Sequence, residues 1–313
     1  MATPLLTRLI YAISIDLPVN FNCRMYESYF NLKEKPFSIS PDPRFIYLTA
    51  QHQEALAKVQ YAISQKMGVS AIYGDIGAGK TSLARRLWVL YADDPTYNFA
   101  MIVHPNFPST FQFVKEIRRE FGLDKPPRSL SDALDEFQEF LLSEHAKGKT
   151  NILVIDEAQN LKPSNYETLR QLLNFETNTQ KLLQIALFGQ NELAAKIDRQ
   201  PELKDRITLF GALTNLTFED AMALIDFRWK VAGGNDHPFD KNALEAIFKY
   251  SKGLPRKISK IADNALIRAM SSEIRSINKE IVDQVATEVR LTEEFEYIPK
   301  KKRVKKQIKN KYV

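Results

Sequence analysis

The chain has 313 residues, 44% of them hydrophobic and 26% charged, an ordinary globular composition with room for one large domain or two smaller ones. Its formal charge of +6 is uneven: eight Lys or Arg and no acid fall in residues 299–313, and the remainder is slightly acidic. A single cysteine, Cys23, excludes an internal disulfide framework and a multi-cysteine zinc site, and no apolar run approaches the ~18 residues of a membrane span, so a cytoplasmic protein without stable membrane insertion is expected.

Residues 1–24 read as an extension; the apolar stretch 4–19 is interrupted by Arg8 and Asp16 and has no charged region before it. Prolines at 36, 41 and 43 then forbid a regular helix and predict a segment that wraps rather than spans, with its aromatics as anchors. Thr49 is placed to cap a helix over 51–63, whose apolar residues recur at three- and four-residue spacing. His52 on that helix is either a neighbour of a bound base or a polar surface residue.

A β-branched and apolar run from Val69 enters Gly74-Asp75-Ile76-Gly77-Ala78-Gly79-Lys80-Thr81-Ser82, and an amphipathic helix follows. Strand, glycine turn and helix in that order fit Gly-x-x-x-x-Gly-Lys-Thr, a phosphate cradle. Gly74, Gly77 and Gly79 are expected at positive φ, turning N–H groups inward where a side chain would obstruct the phosphate. Lys80 is placed to reach the β- and γ-phosphates, and the Thr81 hydroxyl to ligate Mg²⁺. A bound nucleoside triphosphate is the expectation.

Beyond it, residues 99–103 read as a second buried strand, and 109–121 and 129–147 as amphipathic helices, the latter capped by Ser129 or Ser131. The strand over 150–155 is apolar on both faces and ends in Asp156-Glu157, so it belongs inside a parallel sheet with its acids at the ligand edge. Asp156 would hold Mg²⁺ through water, and Glu157 would polarise the attacking water. A helix over 165–174 and a buried strand from Leu182 follow; Gln190 or Asn191 at the strand's end would orient that water or merely cap the next helix. Arg199 and Arg206 flank a short helical segment before a fifth strand over 207–210. Strands separated by helices predict an α/β fold with a five-stranded parallel sheet.

From Thr217 the pattern is helical only, with Thr217 and Asp240 as caps, a break at Gly233-Gly234, and further helices over 258–270 and to 289. The expected organisation is an extension over 1–24, a nucleotide-binding base over 25–212, a helical lid over 213–290 and a basic tail over 291–313 too polar to bury a core.

Taken together these motifs resemble the AAA+ ATPase superfamily. Met25-Tyr26-Glu27-x-x-Phe30-x-Leu32, Pro36-Phe37, the run from Pro41 to Leu48, His52-x-Glu54-Ala55-Leu56, Gly189-Gln190-x-Glu192-Leu193 and Gly253-x-Pro255-Arg256 are similar to the ExeA-type branch, which holds secretion ATPases and is related to transposition ATPases of the TniB, TnsC and MuB kind. The resemblance implies ATP and Mg²⁺ as cofactors and Met25 as the functional start. It also implies Gln190 as the polar sensor, Arg256 as the lid residue that touches the γ-phosphate, and Arg206, with Arg199 as the alternative, as an arginine acting on a neighbouring subunit of a ring or filament. Secretion members carry a membrane segment and a further domain after the core, whereas here a basic tail follows the lid. The expected function is therefore a DNA-associated ATPase switch that recruits a partner such as a transposase, with an ATPase assisting secretion-apparatus assembly at the envelope as the alternative.

Overall fold

Strands β3 (Thr150–Ile155) and β4 (Leu183–Gly189) are buried along almost their whole length, as strands inside a sheet covered on both faces must be. They belong to a five-stranded parallel sheet with β1 (Val69–Gly74), β2 (Tyr97–Ile102) and β5 (Ile207–Leu213), in the order β2-β3-β4-β1-β5. The computed structural model describes residues 25–38 and 42–289. The expected extension over 1–24, Pro41 and the basic tail over 291–313 lie outside them.

The described helices, in chain order, are α1 (Tyr26–Tyr29), α2 (Ala50–Ser64), α3 (Lys80–Tyr91), α4 (Thr110–Glu120), α5 (Leu130–Ala146), α6 (Pro163–Leu172), α7 (Asn191–Asp198), α8 (Pro201–Lys204), α9 (Phe218–Val231), α10 (Lys241–Ser251), α11 (Pro255–Ser271) and α12 (Lys279–Glu288). Ser109, Ser129, Thr217, Asp240 and Asn278 each accept a backbone N–H three residues on, and so fix where α4, α5, α9, α10 and α12 begin. Each such cap contributes about 1 kcal/mol. Helix α6 starts at Pro163, two residues before the expected 165, because proline suits the first helical position, where its missing N–H costs nothing. Strand β5 runs three residues past the expected 210, through Gly211, where a β-carbon would meet Ile72 Cδ1 at 2.6 Å.

Two apolar layers cover the sheet. One joins Val69, Leu153, Ile155 and Leu187 to Phe113 and Ile117 of α4 and Phe137 and Leu141 of α5. The other joins Ile72, Ile152, Val154 and Phe188 to Ala55 and Val59 of α2 and Leu83 and Leu87 of α3.

A third cluster is helical, built from α9 to α12 around Ile225, Trp229, Ile247, Ile261 and Leu266. The proline-rich segment wraps as expected, and its anchors sit in this helical cluster: Tyr26, Leu32, Phe37 and Phe45 are buried there. Tyr26 Oη donates to Asp263 Oδ1, and Lys33 N–H to the Ala232 carbonyl at 2.8 Å. The Phe30 and Phe37 rings meet Trp229 and Phe239 edge-on. Residues expected within the base over 25–212 thus pack on the helices that follow the sheet.

Register sets the site. Tyr73 lies beside Gly189, and Ile155 beside Leu187, so the C-terminal ends of β1, β4 and β3 emerge at one edge. Loops leaving those ends share the crevice where parallel α/β sheets bind ligands.

Candidate active site

Between β1 and α3 the backbone turns through Gly77 at φ 85° and Gly79 at φ 97°, the left-handed region that glycine enters without strain. Gly74 differs from the expectation. It is the last residue of β1, outside the positive-φ glycines, and a β-carbon there would lie 2.4 Å from the Leu213 carbonyl oxygen. Its lack of a side chain serves close packing of β1 on β5 rather than the turn.

Lys80 opens α3 and is buried. Its Nζ donates to the carbonyls of Gly74 at 2.9 Å and Asp75 at 2.7 Å. Burial lowers its pKa, opposed by the nearby Glu157, Asp156 and Asp75 carboxylates. Two loop carbonyls are weak partners for an ammonium, and phosphate oxygens would hold it more strongly.

The Asp156 carboxyl, 1% exposed, is pushed above the usual carboxylate range by burial; the Thr81 hydroxyl and the Glu157 N–H pull it down. That N–H reaches Oδ1 at 2.9 Å. A cation beside Thr81 and Asp156 would favour the ionised form, so the two side chains fit the Mg²⁺ that the resemblance implies.

Glu157 adopts φ 53°, ψ 35°, unusual for a residue with a β-carbon, and this bend turns its side chain toward β4. There Gln190 Nε2 donates to Oε2 at 3.2 Å, and Gln159 Nε2 donates to the same oxygen. Of the two amides left open at this strand end, Gln190 faces Glu157, while Asn191 Nδ2 reaches Asp75 Oδ1 at 2.5 Å. Arg256, in the first turn of α11, packs across the loop: a β-carbon on Gly77 would meet Arg256 Cβ at 3.0 Å. Loop residues Ile76, Gly77, Gly79, Lys80, Thr81 and Ser82 line one cavity with Glu157, Gln190 and Arg256.

Arg206 stands elsewhere. It precedes Ile207, which pairs with Val69 at the start of β1, whereas the loop leaves the end of β1 beside Leu213. Six residues of strand separate the two, about 20 Å. Arg206 donates to the Arg170 carbonyl at 2.8 Å and to Asn174 Oδ1 at 2.6 Å. Arg199 ends α7 at an exposed position.

Three residues carry site geometry that their sequence positions did not announce. His52 faces neither a base pocket nor solvent. It is 3% exposed beneath the loop, with Nε2 2.8 Å from the Ala78 carbonyl oxygen and Nδ1 2.7 Å from Thr49 Oγ1. Thr49 therefore begins α2 without a side-chain bond to its N–H groups. Gln159 joins the ends of β3 and β4, since its Oε1 accepts the Gln190 N–H at 3.0 Å. Arg228 of α9 lines the same cavity; in sequence it is one of several charged residues on that helix, set between Phe227 and Trp229, and nothing there distinguishes it.

Residues 60–197 match the family model described as an AAA domain. The chain is 38% identical over 253 residues to General secretion pathway protein A of Aeromonas hydrophila, an alignment covering 79% of this chain; the chain spans 45% of that relative's length. It is 22% identical over 268 residues to a Potential ATP-binding protein of Staphylococcus aureus, covering 77% of this chain and 89% of that protein. Among solved structures, Cdc6p of Pyrobaculum aerophilum superposes with a TM-score of 0.63 at 21% identity, covering 81% of this chain and 70% of its own. Drosophila ORC bound to DNA superposes at 0.64 with 16% identity, covering 88% and 69%. At such identities the structures show the fold alone. With that loop, those strand-end acids and this sheet order, the chain has the P-loop AAA fold, which implies nucleotide binding, and its sequence is similar to the secretion protein of the ExeA type.

Proposed function

We propose that the chain is a Mg²⁺-dependent ATPase that works as a homo-oligomer, each nucleotide lying at the junction of two copies, in the service of secretion-apparatus assembly at the cell envelope. The observation that carries the composite site is the position of Arg206. Lys80, Thr81, Glu157, Gln190 and Arg256 gather around the loop, while this arginine stands about 20 Å away at the other end of the sheet, too far to act on its own chain's nucleotide.

Loop N–H groups and Lys80 bind the β- and γ-phosphates, and Thr81 and Asp156 would hold a Mg²⁺, which would supply neutralisation of charge on the phosphate oxygens. Glu157 accepts a proton as water attacks the γ-phosphorus and the bond to the bridging oxygen breaks, giving ADP and phosphate; Gln190 fixes Glu157 and the water. Arg256 from the lid and Arg206 from a neighbouring copy stabilise the charge on the transferring group, a contribution of ~10³–10⁵ in rate where such an arginine acts in trans.

The secretion reading follows the 38% identity to a protein of that name. The DNA-bound, transposase-recruiting switch has weaker support, because the solved complexes with DNA that the chain resembles share only 14–16% identity with it. Among the described residues no helix is long and apolar enough to cross a membrane, so attachment to an envelope would come through a partner or through residues outside them.

Steady-state assays test the chemistry: Lys80→Ala should lose ATP binding, and Glu157→Gln should bind ATP without turning it over. Normal hydrolysis by Glu157→Gln would remove the base assignment. Cells producing Lys80→Ala in place of the wild-type chain should fail to export proteins; unchanged export would overturn the process and leave the ATPase standing.

A further inference from the structure

Arg228 of α9 faces the nucleotide cavity. Its side chain is half-buried, and its Nε, shut off from solvent, has no hydrogen-bond partner. One terminal nitrogen donates to Ser259 Oγ at 3.0 Å, and that hydroxyl is itself committed, donating to the Pro255 carbonyl at 2.9 Å. Among the described residues no carboxylate forms an ion pair with it. Burial alone pushes its pKa down to about 10, which still leaves it charged at neutral pH. A half-buried charge without a counter-ion, facing a cavity, is placed to receive one from a ligand.

The cavity it lines is the one holding Lys80, Thr81, Ser82 and Arg256. Within that cavity its place is distinct. Helix α9 packs on the 3-10 turn Pro43–Phe45, and the neighbouring Phe227 ring meets Tyr47 at 5.6 Å. The same turn touches α3. The turn thus joins the helix that carries Arg228 to α3, the helix that leaves the loop. In a phosphate loop the backbone N–H groups that lead into this helix cradle the α- and β-phosphates, while the lysine reaches the β- and γ-phosphates.

We propose that Arg228 is a second lid arginine of the nucleotide site, binding the α-phosphate and ribose end of a nucleoside di- or triphosphate. This deepens the ATPase reading and rests on it. The two lid arginines then report different things. Arg256 responds to the γ-phosphate, and Arg228 to any nucleotide, so the lid closes on ADP as well as on ATP and opens only on release.

The test measures dissociation constants of the full chain for ADP and for a non-hydrolysable ATP analogue with Mg²⁺, together with the melting temperature without nucleotide. Wild type, Arg228→Met, Arg228→Lys, Arg256→Met and Lys80→Ala are compared. Arg228→Met should weaken both nucleotides by the same factor, about tenfold for one lost charge-assisted contact. Its nucleotide-free melting temperature should stay level or rise, since an uncompensated charge has gone, and Arg228→Lys should recover part of the affinity. Arg256→Met should weaken the analogue more than ADP. Affinities within twofold of wild type in Arg228→Met, loss confined to the triphosphate, or a fall in the nucleotide-free melting temperature would each overturn the proposal. If the wild type binds and Lys80→Ala does not, such a result removes Arg228 alone; if the wild type binds neither nucleotide, the ATPase reading fails with it.

Discussion

Gln190 Nε2 donates to Glu157 Oε2 at 3.2 Å, tying the end of β4 to the acid at the end of β3. Gln159 completes the link, accepting the Gln190 N–H and donating to the same Glu157 oxygen. Space for it exists because residue 189 is glycine: a β-carbon there would sit 2.8 Å from Gln159 Oε1. Gln159→Leu should therefore lower kcat by about 10²-fold through misplacement of Glu157, with the KM for ATP little changed. A KM that rises while kcat holds would assign Gln159 to binding instead.

His52 gives a pH-dependent prediction. Burial lowers its pKa below the ordinary 6.5, so the folded chain prefers the neutral ring while the unfolded chain takes up a proton below that value. The stability it contributes is complete above pH 6.5 and is lost as the pH falls from there through the folded pKa. The melting-temperature gap between wild type and His52→Gln should narrow from pH 7.5 to pH 5.5. A constant gap would show that the ring does not titrate in that window.

How much of this was legible in sequence depends on the range of the interaction. The loop from Gly74 to Ser82, the strand ending at Asp156 and caps such as Asp240 are encoded within a few residues of themselves, and composition and spacing reveal them. His52, Gln159 and Arg228 are defined by what they meet: a carbonyl 26 residues away, an N–H 31 residues away and a lid serine 31 residues away. Helical periodicity assigns a polar residue to a face but cannot name its partner. Gly74 illustrates the same limit, since the motif suggested a turn while β5, far along the chain, supplied the constraint.

The strap, residues 26–38 and 42–47, predicts a stability effect at Phe37. Phe37 has no exposed surface and lies among lid residues, its ring 6.1 Å from that of Phe239. Phe37→Ala should destabilise the chain by about 3–5 kcal/mol, the usual cost of emptying a buried phenylalanine site, as read by denaturant unfolding. A loss below about 1 kcal/mol would mean that the strap is not part of the lid core.

The central claim is that one copy's nucleotide is hydrolysed with an arginine from the next. Glu157→Gln and Arg206→Ala each remove one half of that site, and each alone should be inactive. Mixed in equal amounts, they create junctions with an intact Glu157 on one side and an intact Arg206 on the other. The account predicts that steady-state ATPase activity reappears on mixing, at about a quarter of the wild-type rate if copies exchange at random and Arg206 contributes the ~10³-fold or more expected of such a residue. Near-normal hydrolysis by Arg206→Ala alone, or no recovery in a mixture shown to co-assemble, would contradict it.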